Sequence, residues 1–81
     1  MTVWERLDAL FYEELENGAD MGLKLDIATE CGWGAELRYT EEPNRENAPD
    51  QSIVFYSAGQ QTPEDAAKIL IYEFLAWKDA R

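Results

Sequence analysis

The spacing of hydrophobic residues changes twice along this chain, and that change restricts the fold more than any other feature. From residue 3 to 17 they recur with the 3.6-residue period of an amphipathic helix. From residue 23 to 40 they alternate with a period of two, and after Thr62 the helical period returns. The 81 residues suffice for one domain with a modest core. We therefore expect a single α+β domain over residues 1–81.

The first helix has sequence signals at both ends. Thr2 is suited to the N-cap, with Glu5 as its capping-box partner. Asn17-Gly18 suits the C-terminal end, because glycine readily takes the left-handed conformation there. The predicted apolar face consists of Val3, Trp4, Leu7, Leu10, Phe11 and Leu15.

Two alternating stretches, 23–30 and 35–40, predict a β-hairpin. The glycine-containing segment 31–34 between them is expected to form the turn. In this arrangement Asp26 lies opposite Arg38, a favourable pair. The expected apolar pairs are Ile27–Leu37 and Leu25–Tyr39.

A third strand and a second helix complete the expected fold. Residues 41–51 are rich in Pro and Asn and predict a loop, 52–57 a strand and 58–61 a turn. Thr62-Pro63, followed by two acids, predicts the start of a helix that runs to about Lys78. Short connections favour a helix, a three-stranded antiparallel meander and a helix (αβββα), with both helices on one face of the sheet. The inner face of the second helix is expected to comprise Ala66, Ala67, Leu70, Phe74 and Trp77.

The charge of the chain excludes several functions. There are 17 acidic and 7 basic residues and no histidine, so the net charge is −10. Such a surface does not bind nucleic acid through a basic footprint and is repelled by anionic lipids. Cys31 lacks a histidine to act as its base, and no zinc or calcium spacing is present. We expect no enzyme, cofactor or metal, although a catalytic carboxylate pair is left open.

Cysteine content and the first residues indicate a location. A single cysteine cannot form an intrachain disulfide, which fits a reducing compartment. The first residues lack the basic and then apolar pattern of a signal peptide. We expect a cytoplasmic protein, in the host cytoplasm if it is phage-encoded.

Acidic residues concentrate in the first helix and in the 41–51 loop. Glu5, Asp8 and Glu16 fall within about 80° on a helical wheel, and Tyr12 fills the gap between them. Successive positions lie roughly 4.5–6 Å apart along the axis, of the order of the phosphate spacing in a nucleic-acid strand. Only Arg6 offsets the five acids of this helix, so a partner-binding face and a solvated face are both open interpretations. The other candidate acids are Glu13, Asp20, Glu41, Glu42, Glu46 and Asp50.

Apolar residues provide further candidate contacts. Trp33, between two glycines at the predicted hairpin tip, is either displayed as an interface anchor or folded back; we favour display. Several apolar residues exceed what one inner face needs and favour a homodimer, unless Ile71 and Leu75 pack on the first helix. These oligomer candidates are Val54, Tyr56, Ile69, Tyr72, Leu75 and Ala76.

The element order resembles that of double-stranded-RNA-binding domains. That family places phosphate-binding lysines near the start of its last helix, where this chain has Glu64 and Asp65, so the comparison argues against RNA binding. The strands and the TPEDAA helix start are similar to HicB-type antitoxins, whose glycine-rich strand motif is absent. In size, charge and element order, the whole chain resembles small acidic phage-encoded anti-CRISPR and anti-defence proteins, several of which imitate nucleic acid.

The expected function is therefore that of a non-enzymatic inhibitor. Its negative surface would dock on a basic nucleic-acid-binding protein, such as a CRISPR effector, and block access of DNA or RNA. The alternative is a structural, assembly or antitoxin-like oligomer that uses the apolar surface of the last helix and the third strand.

Overall fold

A computed structural model describes residues 1–41 and 51–80, and this part of the chain has the predicted αβββα order. The strands form one antiparallel sheet in the order β1-β2-β3. The predicted fold class is confirmed. The elements are α1 (Val3–Glu16), β1 (Ala19–Ala28), β2 (Gly32–Glu41), β3 (Gln51–Gln60) and α2 (Pro63–Asp79).

Both helices begin at the predicted caps. The hydroxyl of Thr2 accepts a hydrogen bond from the backbone N–H of Glu5 at 3.2 Å, and the Glu5 carboxylate accepts one from the backbone N–H of Thr2 at 2.9 Å. Gly18, with φ at 87°, follows the end of α1. Thr62 caps α2 in the same way, because its hydroxyl accepts from the N–H of Asp65 at 3.1 Å. These local signals are short-range, so the sequence alone suffices to find them.

The register of the first hairpin differs from the predicted one by four residues. The loop comprises only residues 29–31 and is closed by Gly32, whose φ is 73°. A short loop followed directly by a left-handed glycine is a common hairpin connection, and here it moves the turn towards the N-terminus. The four-residue shift is even, so every side chain keeps its predicted face. The predicted pairs Ile27–Leu37 and Leu25–Tyr39 are wrong, and the observed pairs are Ile27–Trp33 and Leu25–Ala35.

The predicted Asp26–Arg38 pair is absent for the same reason. Asp26 lies opposite Gly34, and Arg38 lies opposite Gly22. The guanidinium of Arg38 is instead 4.0 Å from the carboxylate of Glu36, two residues away on the same side of β2. Both side chains are partly solvated, so this contact contributes little to stability.

All three strands are longer than the sequence pattern predicts. β1 begins at Ala19, and β3 continues through the predicted turn at 58–61 as far as Gln60. An irregularity in the β2–β3 register lies beside Gly59, whose φ is 73°, and this bulge lets the strand accommodate one extra residue. Pairing with the central strand extends the ladder over residues that have weak strand propensity themselves.

The core lies between the sheet and both helices, which share one face as predicted. Phe74 of α2 packs against Tyr39 of β2 with ring centroids 5.2 Å apart, and Phe11 of α1 packs against the same cluster. A second cluster joins the helices through Leu7 and Ile71, so Ile71 belongs to the core rather than to a surplus apolar surface. The buried apolar residues are Leu7, Ala19, Ala35, Leu37, Tyr39, Ala66, Ala67, Leu70, Ile71 and Phe74.

The inner face of α1 differs from the predicted one at both ends, and Trp4, expected inside, is 37% exposed. Leu15, expected inside, is 61% exposed, whereas Glu14 is only 1% exposed. Leu15 lies about 80° around the helix from Leu7, at the margin of the apolar stripe, while Glu14 lies within about 20° of it. The position of Glu14 on the helical wheel places its carboxylate inside. Burial of a charge is costly unless it is paired, so this carboxylate requires a partner of opposite charge.

Candidate functional site

The outer face of α1 carries the most concentrated group of candidate residues. Glu5, Asp8, Tyr12 and Glu16 are all exposed on the side of the helix away from the core. The buried stripe centred on Leu7 fixes this orientation. We call these four residues the α1 acidic face.

The charges of the α1 acidic face are not paired along the helix. No basic residue stands three or four positions from any of its acids, and Arg6 is turned towards α2, where it lines a depression with Leu10 and Glu13. The last turn of α1 contains acids and no base, which opposes the helix dipole. An arrangement made only for helix stability would have the opposite charges there.

Glu5 also belongs to the capping box. The hydrogen bond from the backbone N–H of Thr2, and then the one between the two side chains, lower the pKa of this carboxyl from its usual 4.5. Glu5 therefore carries its full charge at neutral pH. Because it both caps the helix and contributes surface charge, it is a poor position for testing binding alone.

Glu14, the fifth acid of α1, does not contribute to this surface. Its carboxylate is buried and forms an ion pair with the ammonium of Lys78, whose Nζ lies 2.6 Å from Oε1. The hydroxyl of Tyr39 donates to the same oxygen at 3.4 Å. The three side chains connect α1, the sheet and the end of α2. The position of Glu14 in the middle of the apolar stripe of α1 is the sequence signal that could have identified it as buried.

Among the described residues, the other candidate acids do not join the α1 acidic face. Asp20 projects from β1 on the side of the sheet opposite the helices, because it alternates with Ala19, which is in the core. Glu13 lies on the flank of α1 that faces α2. Glu41 ends β2 and is half-buried. Glu42, Glu46 and Asp50 lie outside the described residues.

Trp33 is not at the hairpin tip. It is the second residue of β2, lies opposite Ile27 and packs half-buried against the main core cluster. The expectation that Trp33 is displayed is therefore wrong. Because the hairpin loop is shorter than predicted, Trp33 becomes part of the β1–β2 ladder and its side chain folds back onto the core. Its exposed margin lines a wide, open concavity of about 970 Å³ with residues 27–32 and 58–61.

The oligomer candidates are divided between two sides of the molecule. Val54 and Tyr56 lie on the open face of the sheet, since they alternate with the core-facing Phe55. Tyr72, Leu75 and Ala76 are exposed on α2, and Ile69 is half-buried there. The set therefore does not form one continuous interface.

Two further properties of residues 1–41 and 51–80 are their metal-ligating side chains and their surface depressions. In that part of the chain no group of three or more metal-ligating side chains is close enough to hold an ion. The open sheet face has a depression of about 270 Å³ bordered by Asp26, Glu36 and Tyr56 over glycines and alanines. Neither helix in the described ranges has the length and hydropathy required to cross a bilayer.

No protein-family profile matches the chain, and no curated protein or solved structure shows significant similarity to it.

Proposed function

We propose that the protein is a non-enzymatic acidic binding protein that docks on a basic nucleic-acid-binding partner and blocks its access to DNA or RNA. The observation that carries this proposal is the α1 acidic face, with its like charges around an exposed tyrosine. Like-charge spacing such as Glu5–Asp8 costs a few tenths of a kcal/mol, and exposed acids at the end of the helix oppose its dipole. A partner of opposite charge would compensate for both effects.

The geometry favours electrostatic attraction together with an aromatic contact. It does not favour close mimicry of the phosphate spacing in a nucleic-acid strand. From Glu5 to Glu16 the helix rises about 16 Å and displays three acids, whereas one strand of a duplex carries about five phosphates over that length. The lower density is sufficient to orient a positive groove towards the helix. Tyr12, in the middle of the acids, would supply the apolar contact at the centre of the interface.

The most concrete form of this proposal is a phage inhibitor of a CRISPR effector or related nuclease. Its support is the resemblance in size, charge and element order to small acidic anti-defence proteins, together with the αβββα fold. Inside a host cell such an inhibitor would act in the cytoplasm, where the effector complexes are found.

A competition assay tests the proposal. Labelled duplex bound to purified CRISPR effectors and nucleases is titrated with the protein over a salt series. We expect displacement from at least one effector, with an affinity that falls as salt rises. Absence of displacement from every effector, or displacement that is indifferent to salt, would overturn the proposal.

Matched charge reversals locate the site. Asp8→Lys with Glu16→Lys avoids the capping residue and should weaken displacement about tenfold or more, equivalent to about 1.4 kcal/mol. Glu73→Lys with Asp79→Lys, at exposed positions on α2, makes the same change in net charge, from −10 to −10 + 4 = −6. An equal loss in both double variants would show that bulk charge acts instead of the α1 acidic face.

An assembly protein remains the second candidate function. Exposed Tyr72 and the partly exposed Leu75 on α2 favour it, although Val54 and Tyr56 lie on the other side of the sheet. If it is correct, Tyr72→Ser with Leu75→Ser should abolish self-association in sedimentation experiments while leaving helix content unchanged. Unchanged association in that variant would exclude α2 as the interface.

A further inference from the structure

β1 is an edge strand with an unusual combination of features. It is ten residues long, contains no proline and has a sheet neighbour on one side only among the described strands. Edge strands of this kind present a row of backbone donors and acceptors to any second strand. Near its end, Leu25 is 39% and Ile27 is 66% exposed, although both project to the helix side of the sheet.

The exposure follows from the lengths of the packed elements. α1 connects to β1 through only residues 17 and 18, so the helix runs back along the strand. Its 14 residues span about 21 Å, which covers the strand only from Ala19 to about the level of Leu25. Ile27 therefore lies beyond the end of the helix, and this residue is 66% exposed.

We propose that β1 pairs antiparallel with β1 of a second copy, about a two-fold axis at Leu25. On the helix side, Leu25 then faces its own counterpart, and Leu23 faces Ile27 of the second copy. On the open side, Lys24 faces Asp26 of the second copy, and the symmetry repeats each pair. The two three-stranded sheets become one sheet of six strands with all four helices on one face.

Charge complementarity selects this register over its neighbours. With the axis one residue later, Asp26 would face its own counterpart; with the axis one residue earlier, Lys24 would do so. Like charges directly opposite are destabilising, whereas opposite charges contribute a few tenths of a kcal/mol or more per pair. Lys24 and Asp26 are both exposed on the open face, as this pairing requires.

The helices independently favour the same axis. Neighbouring strands are about 4.8 Å apart, whereas packed helices need about 8–10 Å. An axis nearer to Ala19 would place the two α1 helices side by side above adjacent strands, where they would collide. With the axis at Leu25, each helix covers its own half and the two meet end to end. Leu23 packs under α1, so Ile27 of the second copy comes under that helix too.

Cysteine substitution tests the axis directly. In a Cys31→Ser background, Leu25→Cys places two thiols across the two-fold axis at a Cα separation of about 4.5–5.5 Å, within disulfide range. Gly22→Cys and Ala28→Cys leave the apolar contacts and the charge pairs around the axis intact, and each places the two thiols of a dimer well beyond about 7 Å, so they serve as controls. We expect mild oxidation to give covalent dimer at least about tenfold faster with Leu25→Cys than with either control. Equal rates at the three positions would overturn the register.

Sedimentation equilibrium on charge variants provides the second test. Lys24→Asp and Asp26→Lys should each raise the dissociation constant of the dimer about tenfold or more, and the double swap should return it close to the parental value. Each copy carries a net charge of −10, so the two copies repel each other and added salt screens this repulsion. Added salt should therefore strengthen the dimer, whereas it should weaken docking on a basic partner. A monomer at every concentration, or a double swap no better than the single changes, would refute the pairing without bearing on the proposed docking function.

Discussion

Removal of Lys78 should reveal how strongly the buried Glu14 carboxylate depends on its partner. At an effective dielectric constant of about 20, a pair of charges about 3–4 Å apart attracts by roughly 4–6 kcal/mol, and desolvation offsets much of this. Loss of one partner from a buried pair costs about 3–5 kcal/mol, because the remaining charge has no compensation. Since the Lys78 side chain is 38% exposed, water already screens part of its attraction to Glu14 in the native protein, and the cost of removing it is smaller. We therefore expect Lys78→Met to cost about 2–3 kcal/mol.

Such a loss is large for this chain. A protein of 81 residues has a free energy of unfolding of roughly 4–12 kcal/mol. The expected fall in melting temperature is roughly 10–20 °C. Urea unfolding followed by tryptophan fluorescence measures the free energy directly, since Trp33 and Trp77 pack against the core.

Two comparisons separate the buried charge from other effects. Lys68→Met makes the same substitution at an exposed position of α2 and should change stability by less than about 0.5 kcal/mol. Glu14→Met combined with Lys78→Met removes both charges and should recover most of the loss. If Lys78→Met is as stable as Lys68→Met, or if the double variant is less stable than the single one, the reasoning about the buried carboxylate is refuted.

Three other substitutions test the caps, the turn and the core. Phe74→Ala should cost about 3–5 kcal/mol in urea unfolding, because it leaves a cavity beneath the sheet, and a loss under 1 kcal/mol would contradict the packing. Because hydrogen bonds from Thr2 lower the pKa of Glu5 from 4.5, the stabilisation they provide is complete above that pH and is lost as the pH falls through the lowered pKa. The difference in stability between the protein and Glu5→Gln should therefore shrink in acid. A difference that grows would contradict the conclusion that hydrogen bonds from Thr2 stabilise the charged form of Glu5. Gly32 has φ at 73°, and a Cβ added there would lie 2.6 Å from a β3 carbonyl oxygen, so Gly32→Ala should cost about 2 kcal/mol or more. Gly22→Ala, where a Cβ meets nothing, should change little in thermal melts. Equal effects of the two substitutions would contradict the turn geometry.

The features predictable from the sequence are those that depend on neighbouring residues. The Thr2 and Thr62 caps, the glycine after α1 and the two hydrophobic periods each involve interactions within a few positions, and all are found where expected. The faces of the strands are also predictable, because alternation assigns a side chain to one side regardless of which residue it pairs with. The α1 acidic face was accessible for the same reason, since a helical wheel needs no tertiary contacts.

The features that were missed depend on competition between distant groups. Two glycines around Trp33 permit several turns, and the observed one depends on how the whole hairpin pairs with β3 and packs under α2. The half-buried position of Trp33 follows from that register. Glu14 was overlooked because a buried acid is tolerable only with a partner, and its partner Lys78 is 64 residues away in the chain.

The sequence by itself therefore determined the order of the elements, the inner and outer faces of each and the excess of negative charge. Only the tertiary structure decided which charges remain at the surface, because burial of Glu14 requires Lys78 to reach it from the end of α2. It also decided that Ile27 is left uncovered. The physical reason is a difference in length, since a helix rises about 1.5 Å per residue and a strand about 3.3 Å. A 14-residue helix is therefore too short for the ten-residue strand beneath it.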